Sequence, residues 1–298
     1  MQKYNDQIIQ IEALKLYFEK LDIKPEVQKN ILRNSLLKSA RFSSKIEGAN
    51  TKLEINNLYK AYSFIASKKS PKKISLNLIK QLHAIIMNKI TRDSGNFRTE
   101  PCAIYNTAGV AIYLAPPAFK IHELLENLVK EINTSKEHPL INAAIFQFKF
   151  EKIHPFLDGN GRIGRLISYL ILYKNNFSFN GYLSPEEYIN NFKEIYYDCF
   201  DSNNNYHPFV KYFLDSIENQ IKTVFDNFKN PNNLDTMLPR RKEIYEIIKD
   251  HPNCSFDFIS RRFISVNPKT LHYDLSKLQK DNLIKKIGVS RGVTYVAN

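Results

Sequence analysis

Nine glycines in 298 residues constrain this chain more than any other feature. Turn-rich β folds need a reversal roughly every 8–12 residues, and glycine supplies many of them. The chain therefore reads as mainly α. Three of the nine, Gly159, Gly161 and Gly164, fall close together. In a glycine-poor chain such a cluster marks backbone that needs its freedom. An apolar fraction of 43% with 24% charged residues allows a sizeable core. The formal net charge of +13 fits nucleic acid, an anionic surface, a polyphosphate substrate or mere solubility. Cys102, Cys199 and Cys254 are far apart with no CxxC pair, which suggests neither zinc nor a disulfide framework. No apolar leader region opens the sequence, and no run approaches the ~18 apolar residues of a span. A reduced, cytoplasmic protein with no membrane partner is expected.

Apolar periodicity places helices over most of the first 66 residues. Ile8, Ile9, Ala13, Leu16 and Tyr17 mark one helix, residues 25–42 a second, and Leu53, Leu58, Tyr62 and Ile65 a third beginning near Asn50. Pro25 suits a first helical position. After the polar break at 68–73, residues 74–90 are helical. Between Gly95 and Pro117 the period changes: Val110, Ile112 and Leu114 alternate with Ala111 and Tyr113. With a turn at 106–109 and a stop at Pro116-Pro117 this predicts a β-hairpin. Helices resume at 119–133 and 139–153. Phe146, Phe148 and Phe150 also fit strand alternation, and only length favours a helix there. Residues 162–174, 185–200 and 206–228 follow as helices, and Asn230-Pro231-Asn232-Asn233 reads as a linker. The tail carries three short helices and two strands, at 283–287 and 292–296, the pattern of a winged helix-turn-helix. Three regions result: 1–70, 71–230 and 236–298.

The chemistry lies in His154-Pro155-Phe156-Leu157-Asp158-Gly159-Asn160-Gly161-Arg162-Ile163-Gly164-Arg165. Glycines before an apolar helix let N–H groups converge on an anion, and the helix start adds partial positive charge. Arg162 and Arg165 are three apart and share a helix face. Two guanidiniums beside such a nest suit a polyphosphate. Asp158 supplies one hard oxygen, and one carboxylate plus phosphate oxygens is a usual way to hold Mg²⁺. His154 precedes a proline, which disfavours right-handed helical backbone, and its imidazole can accept a proton near neutrality. No Lys-Ser/Thr follows the glycines, and no strand with a distant acid frames them, so neither a Walker A loop nor a dinucleotide fingerprint is present.

This twelve-residue stretch resembles the Fic motif at every defined position, and the resemblance extends over roughly residues 40–215. It implies a helical core with a β-hairpin flap that aligns a target strand, here Ala111, Ile112, Tyr113 and Leu114. It implies transfer of AMP from ATP, with Mg²⁺, to a Ser, Thr or Tyr hydroxyl of a target protein. His154 would be the general base and Asp158 the metal ligand. Asp158, Gly159, Asn160, Gly161, Arg162, Ile163, Gly164 and Arg165 would surround the phosphates, with Tyr197, after Tyr196, and Asn204 near the nucleotide. Ser43-Ser44-Lys45-Ile46-Glu47-Gly48 resembles the family's inhibitory pattern, in which Glu47 would reach Arg165 in the ATP site, with Ser43 and Gly48 completing the pattern. Its N-terminal position implies the class whose inhibitory helix lies in the same chain.

Some relatives remove AMP, or move phosphate, UMP or phosphocholine, and relatives often self-associate as homodimers. A reading of another class makes the chain a DNA-binding regulator with a nucleotide-sensing core. Residues 240–298 hold 12 Lys plus Arg against 6 Asp plus Glu. DNA contact through the tail and a protein-interaction role are both open.

Overall fold

The computed structural model of the protein describes residues 4–49, 51–105, 111–200, 205–229, 237–289 and 292–298. The expected helix start at Asn50, the hairpin turn with Val110, Asn204, the linker at 230–233 and Arg291 lie outside the described residues.

The chain divides into two compact units, 1–22 with 35–224, and 23–34 with 225–298. The first unit is helical around α6 (Pro139–Ile153) and α7 (Asn160–Lys174). Before them come α1 (Asn5–Glu19), α2 (Pro25–Ile46, its later half), α3 (Lys52–Ile65), α4 (Leu76–Ile86) and α5 (Ile121–Thr134). After them come α8 (Pro185–Asn191), α9 (Lys193–Asp198) and α10 (His207–Lys229, whose last turn falls in the second unit). Helix α6 is helical despite its alternating phenylalanines because it is buried on every side, with Leu140, Ala143, Ala144, Phe146, Phe148 and Phe150 all inside. Such a helix shows no one-sided stripe. Strands β1 (Ala103–Tyr105) and β2 (Ala111–Leu114) pair antiparallel, with Ile104 opposite Tyr113 and a bulge before Tyr105.

Several expected boundaries differ from those observed, among them the end of α4, at Ile86 and not at residue 90. Helix α2 continues past residue 42 to Ile46, so Ser43 and Ser44 form its last turn and not a connector. The segment expected as one helix over 185–200 breaks at Phe192, whose ψ of 43° is non-helical. Helix α7 begins two residues earlier than Arg162, at Asn160.

The second unit contains α11 (Pro239–Asp250), β3 (Cys254–Ser255), α12 (Phe256–Ser260), α13 (Pro268–Lys280), β4 (Ile284–Ile287) and β5 (Thr294–Ala297). Its sheet is antiparallel in the order β3-β5-β4. The two-residue β3, too short to leave a periodic signal, was not expected from the sequence. Ile244, Ile248, Leu271, Leu275, Leu278, Ile284 and Tyr295 form the core. Asp274, fully buried on α13, is held by Arg240 Nε at 2.7 Å and Arg241 Nη2 at 3.2 Å. No helix among the described residues is long and apolar enough to cross a membrane.

Candidate active site

Helix α6 ends where the chemistry begins. His154 caps it in left-handed backbone, φ 49° and ψ 59°, a conformation costing a non-glycine residue on the order of 1–3 kcal/mol. The proline after it disfavours the right-handed alternative. The chain then turns through 155–158 and enters α7 at Gly159, whose φ of 86° favours glycine. A side chain there would also press on the His83 ring and Met87.

Long-range bonds hold this turn. The Asn160 carboxamide accepts from the Phe156 N–H and donates to the Phe156 carbonyl, both at 2.8 Å. That side chain is thus spent shaping the turn, and Asn160 offers a ligand its backbone N–H. His83 on α4 stacks on Phe156 at 3.7 Å. Its Nδ1 accepts from the Gly95 N–H at 2.8 Å, so its Nε2 donates to the Asp158 carbonyl at 3.0 Å. Burial lowers the His83 pKa, which keeps this neutral tautomer in place. Arg98 donates from Nε to the His154 carbonyl at 2.7 Å, from Nη1 to Glu100 and from Nη2 to Pro116. Sequence reading missed both His83 and Arg98. Only His83 left a signal: with Ile79, Leu82 and Ile86 it sits at i, i+3, i+4, i+7 on the buried stripe of α4.

His154 is largely buried, with Nδ1 3.3 Å from the Glu151 carbonyl and 3.4 Å from its carboxylate. A proton on Nδ1 serves those acceptors and directs Nε2 outward as the basic nitrogen. Burial pulls the His154 pKa down and so does the Arg98 charge, but Glu151 outweighs them and the net shift is upward.

The first turn of α7 presents N–H groups with no acceptor within the helix. Arg162 and Arg165 rise beside it, each 2% exposed. Arg162 Nη2 meets Asp158 Oδ1 at 2.6 Å, and Nη1 lies 3.7 Å from Glu54, whose other oxygen closes the capping box of α3. Arg165 donates to the Ser43 hydroxyl at 2.9 Å, the Ser43 carbonyl at 3.0 Å and Glu47 Oε1 at 2.7 Å. Arg162 Nε and Arg165 Nη1 are buried without an acceptor among the described residues. Unsatisfied buried guanidinium N–H groups are costly, and these two leave donors open to an acceptor. Asp158 Oδ1 also takes the Gly159 N–H at 2.6 Å, and the side chain is half exposed. Its Oδ2 is the oxygen left for a cation. Among the described residues no group of three acidic, His or Cys side chains could hold a metal alone.

Glu47 is the C-cap of α2. The Ala49 N–H bonds the Ser44 carbonyl and the Gly48 N–H the Lys45 carbonyl, with Gly48 at φ 76°. This paired closure is a Schellman motif, and it needs a left-handed residue after the cap. It aims Glu47 across Gly161, where any Cβ would collide with the carboxylate. Tyr197, partly exposed on α9, donates to the Ile46 carbonyl at 3.4 Å and so stands beside the same helix end, while Tyr196 is buried and accepts from Gln147. Ile163 lies in the core with its N–H bonded to Gly159, and Gly164 faces Gln147 of α6. Of the hairpin, Tyr113 donates to the Lys152 carbonyl at 2.6 Å and Leu114 is exposed.

His154, the Asp158 carboxylate, the first turn of α7 and the buried Arg162 and Arg165 thus follow one another from the end of α6 into α7 on a helical scaffold. The model of the Fic/DOC family matches residues 73–172. A Fido domain-containing protein of Dictyostelium discoideum is 35% identical over 99 residues, covering 30% of this chain and 68% of that protein. The chain belongs to the Fic/DOC family. A probable protein adenylyltransferase of Aquifex aeolicus is 33% identical over 85 residues, 28% of this chain and 27% of its own length. The protein adenylyltransferase fic-1 of Caenorhabditis elegans is 28% identical over 189 residues, 59% of this chain and 35% of its own. The match thus spans only about a quarter to a third of these two relatives. A crystal structure of a Fic family protein from Desulfovibrio desulfuricans superposes with a TM-score of 0.61 at 20% identity, covering 98% of this chain and 96% of that one.

Proposed function

We propose that the chain is a protein adenylyltransferase restrained by its own Glu47. The observation that carries this reading is that Arg162 Nε and Arg165 Nη1, buried on the helix that follows His154, lack acceptors among the described residues. The α7 nest and Arg162 would hold ATP phosphates, and Arg165 would meet the terminal one. His154 Nε2 would take the proton of a target hydroxyl as its oxygen bonds to the α-phosphorus. The bond from that phosphorus to the bridging oxygen breaks and pyrophosphate leaves. Asp158 would hold Mg²⁺ delivered with the nucleotide, and the ion would neutralise phosphate charge. The edge of β2 that faces away from β1, unpaired among the described residues, suits an added target strand. Glu47, closing on Arg165, would displace the terminal phosphate and spoil in-line geometry.

Two further readings each have an observation behind them. Glu47 is partly exposed, at 28%, so a carboxylate able to orient water stands in the site, which favours AMP removal by the same residues. In the second unit, the order α11-β3-α12-α13-β4-β5 supports a reading as a winged helix. The only carboxylate of α13, Asp274, is buried against two arginines, and the exposed Lys269, Lys280, Lys285 and Lys286 favour duplex DNA. The transferase reading is tested by intact-mass analysis of Glu47→Gly protein given Mg²⁺, ATP and target extract. One AMP residue should be added, and none with His154→Ala as well.

A further inference from the structure

Arg98 lies outside the glycine-rich turn yet bonds both to its start and to the hairpin. It is 4% exposed, and its three donors reach three backbone carbonyls: His154 at 2.7 Å, Glu100 at 2.8 Å and Pro116 at 2.6 Å. Its own N–H adds a fourth bond, to the Pro155 carbonyl at 2.9 Å. No carboxylate neutralises it in these contacts. A buried guanidinium spent wholly on carbonyl oxygens fixes backbone, since its planar fork sets the direction of each acceptor.

Those acceptors are not scattered. His154 and Pro155 flank the one peptide whose left-handed backbone aims the imidazole. Glu100 leads into β1, and Pro116 follows β2, with the Ala115 N–H bonded to the Cys102 carbonyl to close the hairpin base. One side chain therefore spans the strained base residue and both legs of the hairpin. Left-handed backbone at a non-glycine position persists only where surrounding bonds over-determine it.

We propose that Arg98 is a positioning residue that holds His154 in its left-handed conformation and sets the hairpin base at a fixed distance from the imidazole. This rests on the transferase reading for its kinetic consequence, though not for the coupling itself. A target strand added to β2 would thereby have its hydroxyl registered against Nε2 by a single guanidinium. Nucleotide contacts, made from α7, would not depend on it.

The test compares Glu47→Gly protein with the same protein carrying Arg98→Lys or Arg98→Ala. Binding of a non-hydrolysable ATP analogue with Mg²⁺ should stay within a few-fold. The transfer kcat should fall about a hundredfold, the scale of an ångström-sized misplacement. Added guanidinium ion should restore part of the activity of Arg98→Ala, and Arg98→Lys, retaining charge, should fall between. Independently, the His154 ring resonance followed by NMR should change in chemical shift and titration in both variants. Unchanged transfer would overturn the proposal, as would loss of analogue binding in parallel with transfer in the folded Arg98→Lys protein. If the Glu47→Gly parent transfers nothing, the transferase reading fails. The NMR arm still decides the coupling, and an unaltered His154 titration then refutes it.

Discussion

The Glu47 carboxylate and the Arg165 guanidinium meet at 2.7 Å across Gly161, at the cap of α2. Ser43, one turn back on the same helix, holds two more Arg165 donors. Arg165 is therefore engaged by one helix end through three bonds, and its pKa is raised although burial alone would lower it, because Glu47 stands beside it.

Gly161 is small because Glu47 lies over it. Gly161→Ala should destabilise the protein by no more than about 1 kcal/mol, below the usual overpacking range, because the atom that a Cβ meets is the flexible end of Glu47. In a Glu47→Gly background most of that cost should vanish, since the colliding oxygens are gone. A double-mutant cycle by denaturant unfolding measures the coupling. Equal costs in both backgrounds would mean that the carboxylate does not occupy this position.

Glu151 raises the proton affinity of His154 against burial. A base works only when deprotonated, so the acid limb of the pH–rate profile reports this pKa. Glu151→Gln removes the charge, and the acid limb should move to lower pH. A limb unmoved in the pH profile of kcat/KM would remove Glu151 from this role.

His83 pins the turn by two hydrogen bonds and a stack on Phe156. His83→Ala should cost about 2–4 kcal/mol, from the usual worth of such contacts. Because burial lowers the folded pKa, the unfolded chain binds the extra proton first. Stability from this group is therefore full above about pH 6.5 and falls as the pH drops through the folded pKa. Thermal unfolding between neutral and mildly acid pH should show that loss, and the variant should show less of it.

The second unit offers a separate test. If α13 and β4 face duplex DNA, the full chain should shift a duplex with affinity that falls steeply with salt. Replacing Lys269, Lys285 and Lys286 by Ala should flatten the slope by about one per lysine that meets a phosphate. Binding that ignores salt and these lysines would favour a protein partner.

How far these features can be read from sequence depends on the range of the interactions behind them. The helices with caps or clear stripes, and the strand alternation at 111–114, are local and were legible. The stretch from His154 to Arg165 could be singled out in the sequence because its residues are consecutive. Helix α2 ran past its expected end because buried Ser43 and Ser44 are stabilised by distant Arg165 and by the Gly48 cap. Serines at helix ends ordinarily signal exposure. Phe192 breaks a helix without Pro or Gly to announce it. Arg98 is one arginine among 43 basic residues, and nothing local separates a buried one from a solvated one. Asn160 was expected before the helix and is its first residue, and that its carboxamide binds Phe156 follows only from the folded chain.

The central claim is that Glu47 restrains a transferase built on His154 and Arg165. Its most direct test is transfer of radiolabelled AMP by the full chain and by Glu47→Gly protein under identical Mg²⁺ and ATP. Releasing a charge-assisted contact worth about 1.5–3 kcal/mol should raise labelling roughly ten- to a hundredfold. His154→Ala in the released protein should abolish it. Equal labelling by both proteins, or labelling that survives His154→Ala, would contradict the account.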